Sequence, residues 1–252
     1  MRQARRIVPR KHVLMLATFL FASFFGVIGG PVTAESNGGT MEIVKDIHWL
    51  GHDAFRIIVR EHGRVKVIYT DPFKIKNPVK ADLILITHEH YDHCSPEDVE
   101  KLTGPDTIIV APTDCAAKLT GEIELVKPGD RLNVDGVDIE AVPAYNPNKK
   151  FHPKSNEWVG YIFTVAGKRI YLAGDTDRIP EMKGFRADIA LLPVSGTYVM
   201  TAREAAEAAL DINPEVAIPM HYGSIVGTKE DAVQFEKDLA GKIKVVILPL
   251  EE

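Results

Sequence analysis

The run Leu83-Ile84-Leu85-Ile86 holds no polar side chain, and one residue later the chain reads His88-Glu89-His90-Tyr91-Asp92-His93. A short, fully apolar run between polar stretches is typical of a buried strand. The histidines therefore sit where such a strand emerges into a loop. Imidazole and carboxylate are the donors that suit zinc and its first-row neighbours. His88 and His90 are two apart, so on extended chain they point the same way. Asp92 and His93 follow on the loop, an arrangement that can serve two adjacent cations. The bland alternative is a solvated loop that happens to be rich in histidine; three His and an Asp within six residues argue against it.

Other short apolar runs predict further strands. Ile43 to Leu50 alternates, and 55–59 and 65–69 read as a hairpin around His62-Gly63. Residues 108–111, 189–192, 216–218 and 245–248 read as buried strands. The runs 132–134 and 137–142 flank Asp135-Gly136, a strong hairpin signal. A second pair, 158–165 and 169–172, flanks Gly167. Helices are expected after Ser95-Pro96-Glu97-Asp98, after the capping box Thr201-Ala202-Arg203-Glu204, and over 229–240. Hairpins with interspersed helices imply a layered α/β protein, two sheets inside helices.

The two ends of the chain differ in charge. Residues 1–34 contain five Lys or Arg and no acid, and leaving them out turns a net charge of −5 into −10. An acidic body repels phosphate backbones, so nucleic acid is not expected as a partner. The basic start, the uncharged run 13–28 and the exit Val32-Thr33-Ala34 describe a secretory signal peptide over 1–34. The rival is an uncleaved N-terminal anchor, the one route to a membrane. Either way the body, 35–252, is expected as one domain outside the cytoplasm, in the periplasm or secreted. Cys94 and Cys115 permit at most one disulfide there.

Thr87-His88-Glu89-His90-Tyr91-Asp92-His93 resembles the H-x-H-x-D-H motif of the metallo-β-lactamase superfamily. Trp49-Leu50-Gly51-His52, Thr70-Asp71-Pro72, Ala173-Gly174-Asp175-Thr176-Asp177 and Pro219-Met220-His221-Tyr222-Gly223 fall in the matching order. The resemblance spans about residues 42–250 and is greatest to compact hydrolases of poorly defined substrate. It implies an α/β (α+β) fold, a four-layer αββα sandwich with the metals at one edge between the sheets. It implies His88 and His90 as ligands of a first cation, and Asp92, His93 and His221 as ligands of a second. Asp175 resembles the carboxylate that bridges the two.

One family position departs. The third histidine of the first cation would stand where this chain reads Tyr145-Asn146. Asn146 through its oxygen, His152 and His52 are the available substitutes. The expectation is that Asn146 faces the first cation and that His52, on a tight turn, compensates ahead of His152. Asp71 is either a partner that fixes a ligand histidine's tautomer or an ordinary turn residue.

The cofactor expected is a divalent metal, up to two per chain, zinc first, with manganese, iron or nickel also compatible. Two such cations suit hydrolysis by lowering the pKa of a shared water from about 16 to near 7. Asp92 or Asp175 would take the proton. No G-x-S-x-G elbow is visible, so covalent catalysis is not indicated. The expectation is an exported hydrolase of a small-molecule ester, phosphodiester, lactone or lactam. Lys149, Lys150 and Lys154 are placed to meet a small anion. The alternative is a catalytically weak metal- or ligand-binding module of the same fold, favoured by the missing histidine.

Overall fold

A computed structural model describes residues 39–61 and 63–251. The expected signal peptide, His12 and the hairpin-tip His62 lie outside those residues.

The first half builds one sheet. A short helix α1 (Thr40–Lys45) leads into β1 (Ile47–Gly51), β2 (Ala54–Glu61), β3 (Arg64–Thr70) and β4 (Ala81–Leu85). Helix α2 (Pro96–Leu102), β5 (Thr103–Pro112) and β6 (Glu122–Val126) complete it. The strands lie in sequence order, antiparallel from β1 to β3 and parallel from β3 to β6.

The second half builds the other sheet on a similar plan. Strands β7 (Arg131–Val134), β8 (Val137–Pro143), β9 (Val159–Val165) and β10 (Lys168–Leu172) form an antiparallel meander. The strands β11 (Ile189–Pro193), β12 (Val216–Met220) and the short β13 (Lys244–Val245) extend it in parallel. Helix α3 (Ala202–Ile212) connects β11 to β12, and α4 (Lys229–Leu239) connects β12 to β13.

Side-chain alternation fixes the layers. Leu83 and Leu85 face a core shared with Tyr161, Phe163, Leu172 and Leu191 of the second sheet. Ile84 and Ile86 point the other way, to a cluster with Val99 and Leu102 of α2. Alanines of α3 and Phe235 of α4 pack into the core from the second sheet's side. The result is the expected αββα sandwich.

Turn chemistry follows the sequence. Asp135 and Gly136 both adopt positive φ, 46° and 85°, as the tight hairpin turn requires. The Ser95 hydroxyl accepts from the Asp98 N–H, and Thr201 and Glu204 form a reciprocal box. Each such cap contributes about 1 kcal/mol.

Two expectations need correction, and one strand was not expected. Of the expected strand 43–50, residues 43–45 are helical, because Thr40, Ile43 and Val44 share a buried helical face, and the strand begins at Ile47. Of the last expected strand, 245–248, only Val245 lies in a strand. Strand β6 escaped the pattern because its glutamates face outward at the sheet edge, where little apolar signal is needed.

Candidate metal centre

The side chains of the centre come from strand ends on both sheets. His88 follows β4, Asp71 follows β3, and His52 and Asp53 form the β1–β2 turn. Asp175 follows β10, and His221 follows β12. Both halves of the sandwich thus meet at one edge. Three of these residues have left-handed backbone: Asp71 at φ 36°, His52 at φ 52° and His221 at φ 60°. Such conformations cost non-glycine residues about 1–3 kcal/mol each and gather at functional sites. The His221 N–H donates to the His52 carbonyl at 3.1 Å, tying the two turns together.

Asp175 is the hub. Its Oδ2 lies 3.1 Å from His152 Nε2 and 4.0 Å from His88 Nε2. Its Oδ1 lies 3.1 Å from His221 Nε2 and 3.4 Å from His93 Nε2. The two oxygens therefore face two different groups of imidazoles. His88, His90 and His152 form one group, with His88 Nε2 3.0 Å from His90 Nδ1. His52, His93 and His221 form the other, and Asp92 Oδ2 joins it 3.2 Å from His52 Nε2 and 3.9 Å from His93 Nε2.

Four imidazoles are held from behind. His93 Nδ1 lies 2.9 Å from Asp71 Oδ2, and His221 Nδ1 lies 2.8 Å from Ser195 Oγ. His88 Nδ1 meets Thr87 Oγ1 at 2.9 Å, while that hydroxyl donates to Asp71. His152 Nδ1 meets Asn146 Oδ1 at 2.8 Å. Binding Nδ1 leaves Nε2 of each ring directed at Asp175, the arrangement in which ligand histidines are oriented. Trp158 packs on the first group, its ring 4.9 Å from His88 and 4.8 Å from His90.

The electrostatics fit cation binding. Burial pushes His88 well below the ordinary imidazole range and His52 down to about 4, so both present neutral rings. Burial resists ionisation of Asp175, but His221 and His93 outweigh it and hold the carboxyl well below its usual range. For Asp92 burial is likewise overcome, by the His52 contact and by His93. Buried Nε2 of His52, His93 and His152 and Oδ1 of Asp175 have no hydrogen-bond partner. They approach one another at ion-pair distances without aligning as hydrogen bonds. Two donors each about 2.1 Å from a tetrahedral cation stand roughly 3.4 Å apart. The 3.0–3.4 Å separations here match that spacing. The residues present fit divalent cations.

The structure places His88, His90, Asp92, His93, Asp175 and His221 together. It separates the three substitutes proposed for the missing histidine. The ring in the first group is His152, with Asn146 behind it rather than facing the group. Asn146 also donates from Nδ2 to the Tyr198 carbonyl, so both ends of its amide are engaged. His52 stands in the second group and not the first. Its turn is joined to His221 by a backbone hydrogen bond, and that sets the side on which it lies. Of the lysines, Lys149 pairs with Asp177 at 2.6 Å and Lys154 with Glu181 at 2.9 Å, so neither is a spare anion contact. Asp53, fully buried beside His93, was not foreseen; its place after His52 was the only available signal.

An αββα sandwich with a histidine–aspartate centre at one sheet edge defines the class of protein, and the comparisons agree. The beta-lactamase superfamily domain matches residues 46–221. A UPF0173 metal-dependent hydrolase of Thermoplasma acidophilum is 35% identical over 227 residues, covering 83% of this chain and 96% of that protein. A solved structure from Parabacteroides distasonis, described as a metal-dependent hydrolase, is 36% identical with a TM-score of 0.70. It covers 81% of this chain and 93% of that one. Igni18, a metallo hydrolase from Ignicoccus hospitalis, is 26% identical with a TM-score of 0.64, over 82% and 95% of the two chains. This chain belongs to the beta-lactamase superfamily.

Proposed function

We propose that the protein is an exported metal-dependent hydrolase that works with two divalent cations on a small-molecule ester, phosphodiester, lactone or lactam. The observation that carries the reading is Asp175, whose two oxygens face two separate imidazole groups. On this reading His88, His90 and His152 hold the first cation, and Asp92, His93 and His221 hold the second, with Asp175 shared. Zinc suits the imidazole-rich first group; manganese, iron and nickel are compatible with the pair. Bound cations supply an acidified water and charge stabilisation for the attacked oxygen.

The protein's own groups do the rest. Asp175 is held ionised by its histidines and is the weaker proton acceptor. Asp92 keeps a side chain 15% exposed, so its carboxylate can take a proton and pass it to solvent. His52 Nε2 lies 3.2 Å from Asp92 Oδ2, a contact that helps hold the Asp92 carboxyl below its usual range. Exposed Tyr91 and Phe151 adjoin His90 and His152 and offer apolar contact to the organic part of a substrate. With His152 in the first group, the feature that favoured a non-catalytic binding module falls away. The relatives named metal-dependent hydrolases support the same reaction class.

The test combines metal analysis with a panel of ester, phosphodiester, lactone and lactam substrates. Wild type should retain two cations and hydrolyse one class. Asp175→Ala should lose both cations and the activity. Full metal content and turnover in Asp175→Ala would overturn the bridging assignment.

A further inference from the structure

We infer that Asp53 is a ligand of the second cation, adding a carboxylate to Asp92, His93, Asp175 and His221; this rests on the two-cation reading above. Asp53 is completely buried, and neither of its carboxylate oxygens has a hydrogen-bond partner. One of those oxygens, an oxygen of Asp175 and a ring nitrogen of His221 all lie within 4.8 Å of one another. Its Oδ2 is also 3.9 Å from His93 Nδ1, which Asp71 already holds at 2.9 Å. His93 is thus spoken for, and Asp53 stands among carboxylates with no donor of its own. A buried, unpaired carboxylate beside two others is costly unless a cation compensates it.

The local chain explains how it is held there. Gly51 at φ 104° and His52 at φ 52° fold the β1–β2 turn tightly. The Asp53 carbonyl then accepts from Thr70 Oγ1 at 3.0 Å, fixing the backbone from which the side chain enters the centre. The consequence is an asymmetry between the two cations. The first would be held mostly by imidazole. The second would have three carboxylates and two imidazoles, an oxygen-rich set that suits harder ions of higher coordination number, such as manganese or iron(II).

The experiment uses the full chain, stripped with chelator and titrated separately with Zn²⁺, Mn²⁺ and Co²⁺. Asp53→Asn and Asp53→Ser should bind Mn²⁺ at the second position at least tenfold more weakly, with zinc at the first unchanged. Visible absorption of the Co²⁺ form should intensify in both variants as one oxygen donor is lost. Mn²⁺ affinity and Co²⁺ absorption equal to wild type in both would overturn the inference. Thermal unfolding of the stripped proteins provides the folding control. Removing an uncompensated buried charge should leave the variants melting no lower than wild type. Unfolding of both variants at room temperature would assign Asp53 a structural role and overturn it too. Wild type that takes up one cation or none refutes the two-cation reading itself, before any variant is compared.

Discussion

Asn146 cradles His152: its Oδ1 meets the ring Nδ1 at 2.8 Å and accepts from the His152 backbone N–H at 3.1 Å. The Asn146 N–H in turn donates to the His152 carbonyl at 2.7 Å. The loop 146–152 is thereby closed on itself, and the His152 ring is buried with Nε2 toward Asp175. The loop is as fixed as a turn, which is why the histidine it carries can serve the first group.

The corresponding expectation is graded. His152→Ala should abolish binding at the first position. Asn146→Ala, which leaves the ring but frees it, should weaken binding there by about 10–100-fold, the usual effect of removing a histidine's supporting partner. Asn146→Asp keeps the acceptor and should recover most of the loss. Cation titration of the three variants checks the order. Equal affinity in Asn146→Ala and wild type would remove Asn146 from any positioning role.

Much of the sandwich was legible because its signals are local. The apolar runs of β4 and β11 and the Asp135-Gly136 turn each fix an element within a few residues. Of the six matching His and Asp positions, His88, His90, Asp92 and His93 were legible locally on one loop, whereas Asp175 and His221, each after a strand end, were legible as ligands only through the family resemblance. What failed was three-dimensional adjacency. His52 and His152 both lie far from the H-x-H-x-D-H motif, and in sequence the tight Gly51-His52 turn favours His52 over the loop histidine. They part only when the β1–β2 turn docks beside His221 and the 144–157 loop closes over His88 and Trp158. Asp53 was illegible because a buried unpaired carboxylate carries no pattern; only the convergence of the two sheets gives it neighbours.

Gly174 is expected to tolerate no side chain. It has φ 62°, and a Cβ there would stand 2.8 Å from Thr87 Cβ. Thr87 cannot retreat freely, because its hydroxyl bonds Asp71 and His88. Gly174→Ala should therefore lower stability by about 1–3 kcal/mol for backbone strain alone. It should also displace Asp175, the next residue, and reduce binding of both cations. Chemical denaturation and metal analysis check the two effects, and a stable variant with full metal content would refute the argument.

Export makes a separate expectation. Val32-Thr33-Ala34 is the first exit after the apolar run and its Pro31-flanked end, so the mature chain should begin at or near Glu35. N-terminal sequencing of protein recovered outside the cytoplasm checks it. Intact Met1 in a membrane fraction would replace cleavage with an anchor.

The stripped protein should be most stable near pH 6.5, with a different cause for the loss on each side. Burial opposes charge on His93 and His221, but Asp175 outweighs it and both sit above the ordinary imidazole range. A histidine with a raised folded pKa gives stability that is complete below about pH 6.5 and lost as pH rises through the folded value. His52, His88 and His90 are pushed down by burial. They resist protonation in the fold while the unfolded chain accepts it, so below about pH 6.5 they weaken the fold as pH falls. Melting temperature should accordingly decline from pH 6.5 to 8.5 and also from pH 6.5 to 5. Saturating divalent cation should reverse the alkaline limb, because cations bind unprotonated imidazole and compete with protons below neutrality. Melting curves across pH, with and without cation, read this directly. A stripped protein that grows steadily more stable up to pH 8.5 would show that His93 and His221 do not carry the charge assigned to them.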